Sequence, residues 1–137
     1  MNKWFAIDSW KGDLVLLIAR LTLGGGMALA HGLSKFEKLM AGGEIKFYSF
    51  LGLGAEISLG LAVFAEFFAS IFLVIGFYTR FSLIPLIITM AVAAFAVHGG
   101  DPFSKMEKSL LYLVTYLILL FVGPGKFSLD YLRQSRK

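Results

Sequence analysis

The chain has 137 residues, of which 58% are hydrophobic and 14 are Phe, with a mean hydropathy of +0.77. That is too apolar for an ordinary soluble domain and points to a small integral membrane protein. A net charge of +4 does not mark a nucleic-acid partner, because the basic residues fall in short groups between apolar runs, and the absence of cysteine excludes thiol, Fe–S and Cys-zinc chemistry by this chain.

Residues 1–13 mix Trp4, Phe5, Ile7 and Trp10 with Lys3, Asp8, Lys11 and Asp13, which predicts a short interfacial helix anchored by Trp. No small-residue cleavage site follows a short apolar core, so no cleaved signal peptide is expected. A first span is predicted over about residues 14–33. It carries Arg20 and His31, eleven residues apart and hence on nearly the same helical face. Gly24, Ala28 and Gly32 recur every four residues, the spacing that lets a second helix approach closely.

Residues 34–55 interleave Lys35, Glu37, Lys38, Glu44 and Lys46 with aromatics, which predicts a connection lying on the membrane surface as one or two amphipathic turns. The second span, about 56–78, holds one central ionisable residue, Glu66. An acidic side chain at a helix centre costs roughly 2.5 to 3.5 kcal/mol of insertion, whereas each surrounding Leu, Ile, Phe or Val returns about 0.3 to 0.6. Insertion still wins, but the carboxyl needs a proton or a partner. A short turn then forces a third span, about 81–98, to return antiparallel, with Pro85 expected in its first turn and His98 at its end. The loop Gly99-Gly100-Asp101-Pro102 leads to a fourth span, about 107–123, closed by Gly123-Pro124-Gly125.

The expected fold is therefore all-α, one domain over residues 1–137, a four-helix transmembrane bundle. Both termini share a side that carries Lys3, Lys11, Arg80, Lys126, Arg133, Arg136 and Lys137, against Lys35, Lys38, Lys46, Lys105 and Lys108 opposite. The positive-inside rule assigns the first side to the cytoplasm.

Intramembrane charges pair with one another or face a cavity, so the first expectation is an Arg20–Glu66 ion pair that either fixes register or exchanges protons with a bound molecule. A second group, His31, Lys35, His98 and Glu107, is expected near the opposite surface, first as interfacial polar residues with the His rings capped by a carbonyl or by Glu107, and alternatively as the polar mouth of a ligand site. No two of these residues have a close helical ligand spacing such as HxxxH, so no metal is expected. Ser109, Tyr112 and Tyr116 share a face of the fourth helix. They read as interhelical hydrogen-bonding groups, or as donors for a quinone's carbonyls. The aromatic run Phe64, Phe67, Phe68 and Phe72 is packing or lipid contact, with a planar ligand slot as the alternative.

The stretches IARLTLGGGMALAHGLSKF and AEFFASIFLVIGFYTR, the third helix ending on His98, and GPGKFSLD near the C-terminus resemble the DoxX family of small four-span membrane proteins over about residues 14–131. The resemblance implies a four-helix bundle in which Arg20, His31, Gly32, Lys35, Glu66, Gly76, Arg80 and the Gly123-Pro124-Gly125 turn are family positions. It also implies an oxidoreductase component, or a small partner of a redox enzyme, in a bacterial or archaeal cytoplasmic membrane. The leading expectation is a quinone- or quinol-associated accessory subunit with no intrinsic cofactor beyond the quinone, embedded in the bilayer, with a redox-enzyme partner or a homo-oligomer around it. The alternatives are a non-catalytic scaffold and a small-molecule or proton transporter.

Overall fold

The computed structural model describes residues 9–136 as a bundle of four antiparallel helices with a short fifth helix at one end. Helix α1 runs Ser9–Ala41, α2 Ala55–Ile75, α3 Thr79–Val97, α4 Phe103–Val122 and α5 Leu129–Gln134. Three of them, α1 to α3, are long and apolar enough to cross a membrane. The fourth has 20 residues but opens with Lys105, Glu107 and Lys108, so its unbroken apolar stretch starts about two turns in. Residues 1–8 of the expected interfacial helix lie outside the described residues, and 9–13 belong to α1.

The outer surface identifies the solvent. Leu29, Phe95, Leu111 and Phe121 are among many large apolar side chains that face outward. A continuous apolar exterior of this kind is untenable in water and is the lipid-contacting surface of a membrane protein. Inside, Met27 of α1, Leu73 of α2, Leu83, Leu86 and Met90 of α3, and Tyr116 and Leu119 of α4 form one core.

In hydrocarbon no hydrophobic force drives helices together, so close packing must do so. The seam between α1 and α2 uses the small residues recognised in the sequence. A Cβ at Gly24 would sit 2.9 Å from Ser70 O, and one at Gly32 would overlap the backbone of Glu66 and lie 2.7 Å from Phe67 N. Ala28 is buried between them. Each helix also carries a π turn, Ala28–Gly32 in α1 and Phe64–Ala69 in α2, and the two turns face each other at this crossing. A third, Val92–Val97, ends α3.

Three expectations require correction. The first helix does not end near residue 33 but continues through Lys35, Glu37 and Lys38 to Ala41, since these are good helix formers and Gly42-Gly43 is the first true stop. The following connection is irregular, with a single short turn at Phe50–Gly52, rather than amphipathic helix. Pro85 is not in the first turn of α3, because that helix starts two residues earlier than expected, at Thr79. The cause is Asp130, whose two carboxylate oxygens accept the backbone N–H groups of Tyr78 and Thr79, each at 2.8 Å, and cap the helix from 51 residues away.

Gly32→Ala is expected to cost roughly 1 to 3 kcal/mol, because backbone rather than a flexible side chain stands in the way. Gly25→Ala, about two turns earlier with nothing within 4 Å of its would-be Cβ, is expected to be neutral or to stabilise by up to about 1 kcal/mol. Thermal unfolding of the two variants in detergent micelles reads the difference.

Candidate functional site

Glu66 sits in the π turn of α2, is nearly fully buried, and pairs with Lys35 of α1 rather than with Arg20. The side chains are 6% and 24% exposed. Helical side chains lean toward the N-terminus of their own helix, so Lys35, which lies further along α1, reaches back to the level of Glu66. The absence of a side chain at Gly32 brings the two backbones close enough for that reach.

Arg20 answers a different need, which corrects the expected Arg20–Glu66 pair. Helix α2 ends at Gly76, in the left-handed conformation (φ +68°), where the N–H groups of Gly76 and Phe77 reach back to Leu73 O and Phe72 O and the regular ladder of carbonyl partners stops. The fully buried guanidinium of Arg20 donates to Val74 O at 3.0 Å, to Leu73 O at 3.4 Å and to Phe127 O. A cation is also favoured at the negative end of the helix dipole. Asp130 N in turn donates to Gly76 O at 2.9 Å. Arg20 therefore closes one end of the bundle, and Glu66 belongs to the other.

The connection between α1 and α2 folds back over that second end. Lys38 Nζ donates to Lys46 O at 2.9 Å, and Phe50 N donates to Ser58 Oγ at 2.8 Å, which pins the connection to the start of α2. Beneath it lies a cavity of about 670 Å³ between the connection, α2 and α3. Its wall is mainly apolar, with Phe47, Phe64, Pro85 and Val92, and its polar groups include Lys35, Glu66 and His98. An apolar cavity with a few convergent polar groups is the usual form of a small-molecule site.

The remaining candidates divide into two groups. His31 is not on the cavity wall; its ring meets Tyr112 edge to face at 6.4 Å, and Tyr112 lies 5.7 Å from Tyr116. Tyr116 is fully buried and its hydroxyl has no hydrogen-bond partner among the described residues. Both rings thus pack behind Glu66, away from the cavity. Glu107 is exposed on α4 and is not brought to His31, Lys35 or His98. Among the described residues no three His, Cys, Asp or Glu side chains come together as a metal-binding group. Phe67 stacks on Phe36 at 5.1 Å and meets Phe68 edge to face at 5.2 Å, a packing role, while Phe64 alone of that run lines the cavity.

Two contributors escaped the sequence reading. The segment 46–50 forms the cavity's cover, and nothing in its composition signals a fold back over α2. Asp101 receives the Nδ1 side of His98 at 2.8 Å and so orients that ring at the end of α3. The His98 hydrogen bond holds the exposed Asp101 carboxyl below its usual range, with a smaller contribution from Lys105.

The family model described as DoxX matches residues 15–99. A protein of Haemophilus influenzae described as "Uncharacterized protein" is 35% identical over 80 residues, 56% of this chain and 53% of its own length. A second from the same organism, with the same description, is 32% identical over 114 residues, 76% of this chain and 80% of its own. The chain thus spans about half the length of the first relative and most of the second. No solved structure matches.

Arg20→Leu is expected to destabilise the protein by about 3 kcal/mol or more, since three carbonyls lose a charged donor. Thermal unfolding measures this, and Arg20→Lys is expected to recover only part of it. The Asp101 contribution has the opposite dependence to a base. Its folded pKa is depressed, so its stabilising effect is present above the unfolded carboxylate value, near 3.9, and is lost as pH falls through the folded value. Protection of the 98–101 amides, taken relative to their intrinsic exchange rate at each pH, is expected to fall at acid pH in the wild type and to lose that pH dependence in Asp101→Asn.

Proposed function

Because this chain belongs to the DoxX family, we propose that it is a quinone- or quinol-associated accessory subunit of a membrane redox system. We place it in the cytoplasmic membrane with the start of α1 and the end of the chain on the cytoplasmic side. The observation that carries this reading is the Lys35–Glu66 pair set into the wall of an otherwise apolar cavity of about 670 Å³. The volume lies within the roughly 300 to 1,000 Å³ of small-molecule sites. Its mixture of apolar wall and few polar groups suits a flat ring with two oxygens and an aliphatic tail.

A quinone, when bound, supplies a couple of two electrons and two protons. The chain's own groups handle orientation and protons. Lys35 is the cation available to a ring oxygen, and it holds Oε2 of Glu66. Oε1 of Glu66 is then the atom left to exchange a proton. His98, oriented by Asp101, provides a second proton-handling group on the same wall. Phe64, Pro85 and Val92 exclude water from that wall, which strengthens each polar interaction there. The electrons go to a partner oxidoreductase, which the accessory role requires.

The scaffold reading has less surface available to it. Its natural docking stripe, Gly24, Ala28 and Gly32, is already buried against α2.

Native mass spectrometry with lipid analysis of gently extracted protein tests the proposal. Wild type is expected to retain a quinone, and Glu66→Gln, which keeps the shape and a hydrogen bond to Lys35, is expected to lose at least about tenfold of it while its unfolding temperature holds. A wild type free of quinone, with the same protein partner in both samples, would establish the scaffold instead.

A further inference from the structure

The end of the bundle opposite the cavity carries a second concavity, of about 770 Å³, bounded by the α2–α3 turn, the segment after α4 and α5. Four cations line it: Arg80, Lys126, Arg133 and Arg136. They come from separate stretches of the chain and are gathered only when α5 docks through Asp130. The concavity has two carboxylates on its wall, and both are engaged. Asp130 caps the start of α3, while Asp13 accepts Lys126 N at 2.9 Å and faces Lys126 Nζ at 3.9 Å. Among the described residues no carboxylate pairs with Arg80, Arg133 or Arg136.

One of these cations is already oriented. The Arg133 guanidinium lies 4.7 Å from the centre of the Tyr78 ring and 5.4 Å from that of Phe77, and its Nη2 donates to the Tyr78 hydroxyl at 3.2 Å. A planar guanidinium fixed on aromatic faces loses little freedom when it binds an oxyanion. The wall is also two-sided. Phe81 and Val122, 71% and 59% exposed, belong to the same concavity. Both sit at the ends of membrane helices, where the hydrocarbon gives way to headgroups.

We propose that this concavity binds the phosphate headgroup of an anionic membrane phospholipid, with the acyl chains running along Phe81 and Val122. A basic pocket between membrane helices at headgroup depth is suited to such lipids. A soluble phosphate offers the same charge but nothing for the apolar wall, so the lipid is the better fit. This proposal is independent of the cavity around Glu66.

The test uses the full chain in detergent, titrated with phosphatidylglycerol, phosphatidylcholine or inorganic phosphate, with bound lipid read by native mass spectrometry. Wild type is expected to retain phosphatidylglycerol over phosphatidylcholine. The double variant Arg80→Gln/Arg136→Gln is expected to lose roughly tenfold in that retention, with the lipid-free unfolding temperature unchanged. A charge-matched control at the other end, Lys105→Gln/Lys108→Gln, is expected to retain the lipid as wild type does. Equal retention of the two lipids, or equal losses in the two double variants, would overturn the proposal. Displacement of phosphatidylglycerol by equimolar inorganic phosphate would show a free-anion site and overturn the lipid assignment.

Discussion

The bundle depends on how closely α1 and α2 approach at Gly32, because that contact sets where the buried carboxyl finds its cation. A carboxylate in hydrocarbon must be neutralised or paired, and Glu66 is paired only because Lys35 lies within reach across a seam with no side chain in it. A larger residue at Gly32 would push the helices apart, lengthen the ion pair and open the cavity wall together. Packing, electrostatics and the shape of the candidate site are thus one constraint seen from three sides.

The two interior charges of the central helices divide the bundle's interior between an end closed around Arg20 and an end where Glu66 borders a cavity. At the closed end Arg20 is consumed by backbone carbonyls, and α5 is held down by Asp130 and by the bond from Asp130 N to Gly76 O. These groups answer the general requirement that helix ends in a membrane protein satisfy their own polar atoms. At the cavity end, Lys35 and Glu66 satisfy one another but still border an unfilled space. A protein that spends one charge on architecture and leaves another beside a cavity separates stability from ligand handling. Substitutions at Arg20 and at Glu66 therefore affect different properties.

The fold was largely legible in the sequence because apolar runs of spanning length and the Gly stops are local signals. The packing stripe Gly24-Ala28-Gly32 was legible for the same reason: a period of four places small residues on one face. The partner of Glu66 was not. Assigning it to Arg20 assumed that α1 ends near residue 33, which removed Lys35 from the membrane and left Arg20 as the nearest cation. About two extra turns of α1 reversed that choice. Nor does composition reveal that Asp130 caps α3 or that residues 46–50 cover the cavity, since both are long-range backbone interactions that depend on the completed bundle. Tyr112 and Tyr116 were placed on one face of the fourth helix by their spacing, but the contact of His31 with Tyr112 depends on how α4 is rotated, which periodicity within one helix does not specify.

The wide turns at Ala28–Gly32 and Phe64–Ala69 have a consequence for how this chain tolerates changes in length. Removing one residue from a regular helix rotates everything beyond it by about 100°, which in a packed membrane helix swaps its lipid and core faces. A π turn already holds one surplus residue, and deleting it restores an ordinary helix with little backbone disturbance. Orientation is kept as well: in α1 such a deletion would leave Lys35 on the face that meets Glu66, whereas the same deletion elsewhere in the helix would swing it away. Gaps inside the helices of related sequences should therefore gather at these turns, where one residue can be lost with the face presented to the buried carboxyl unchanged.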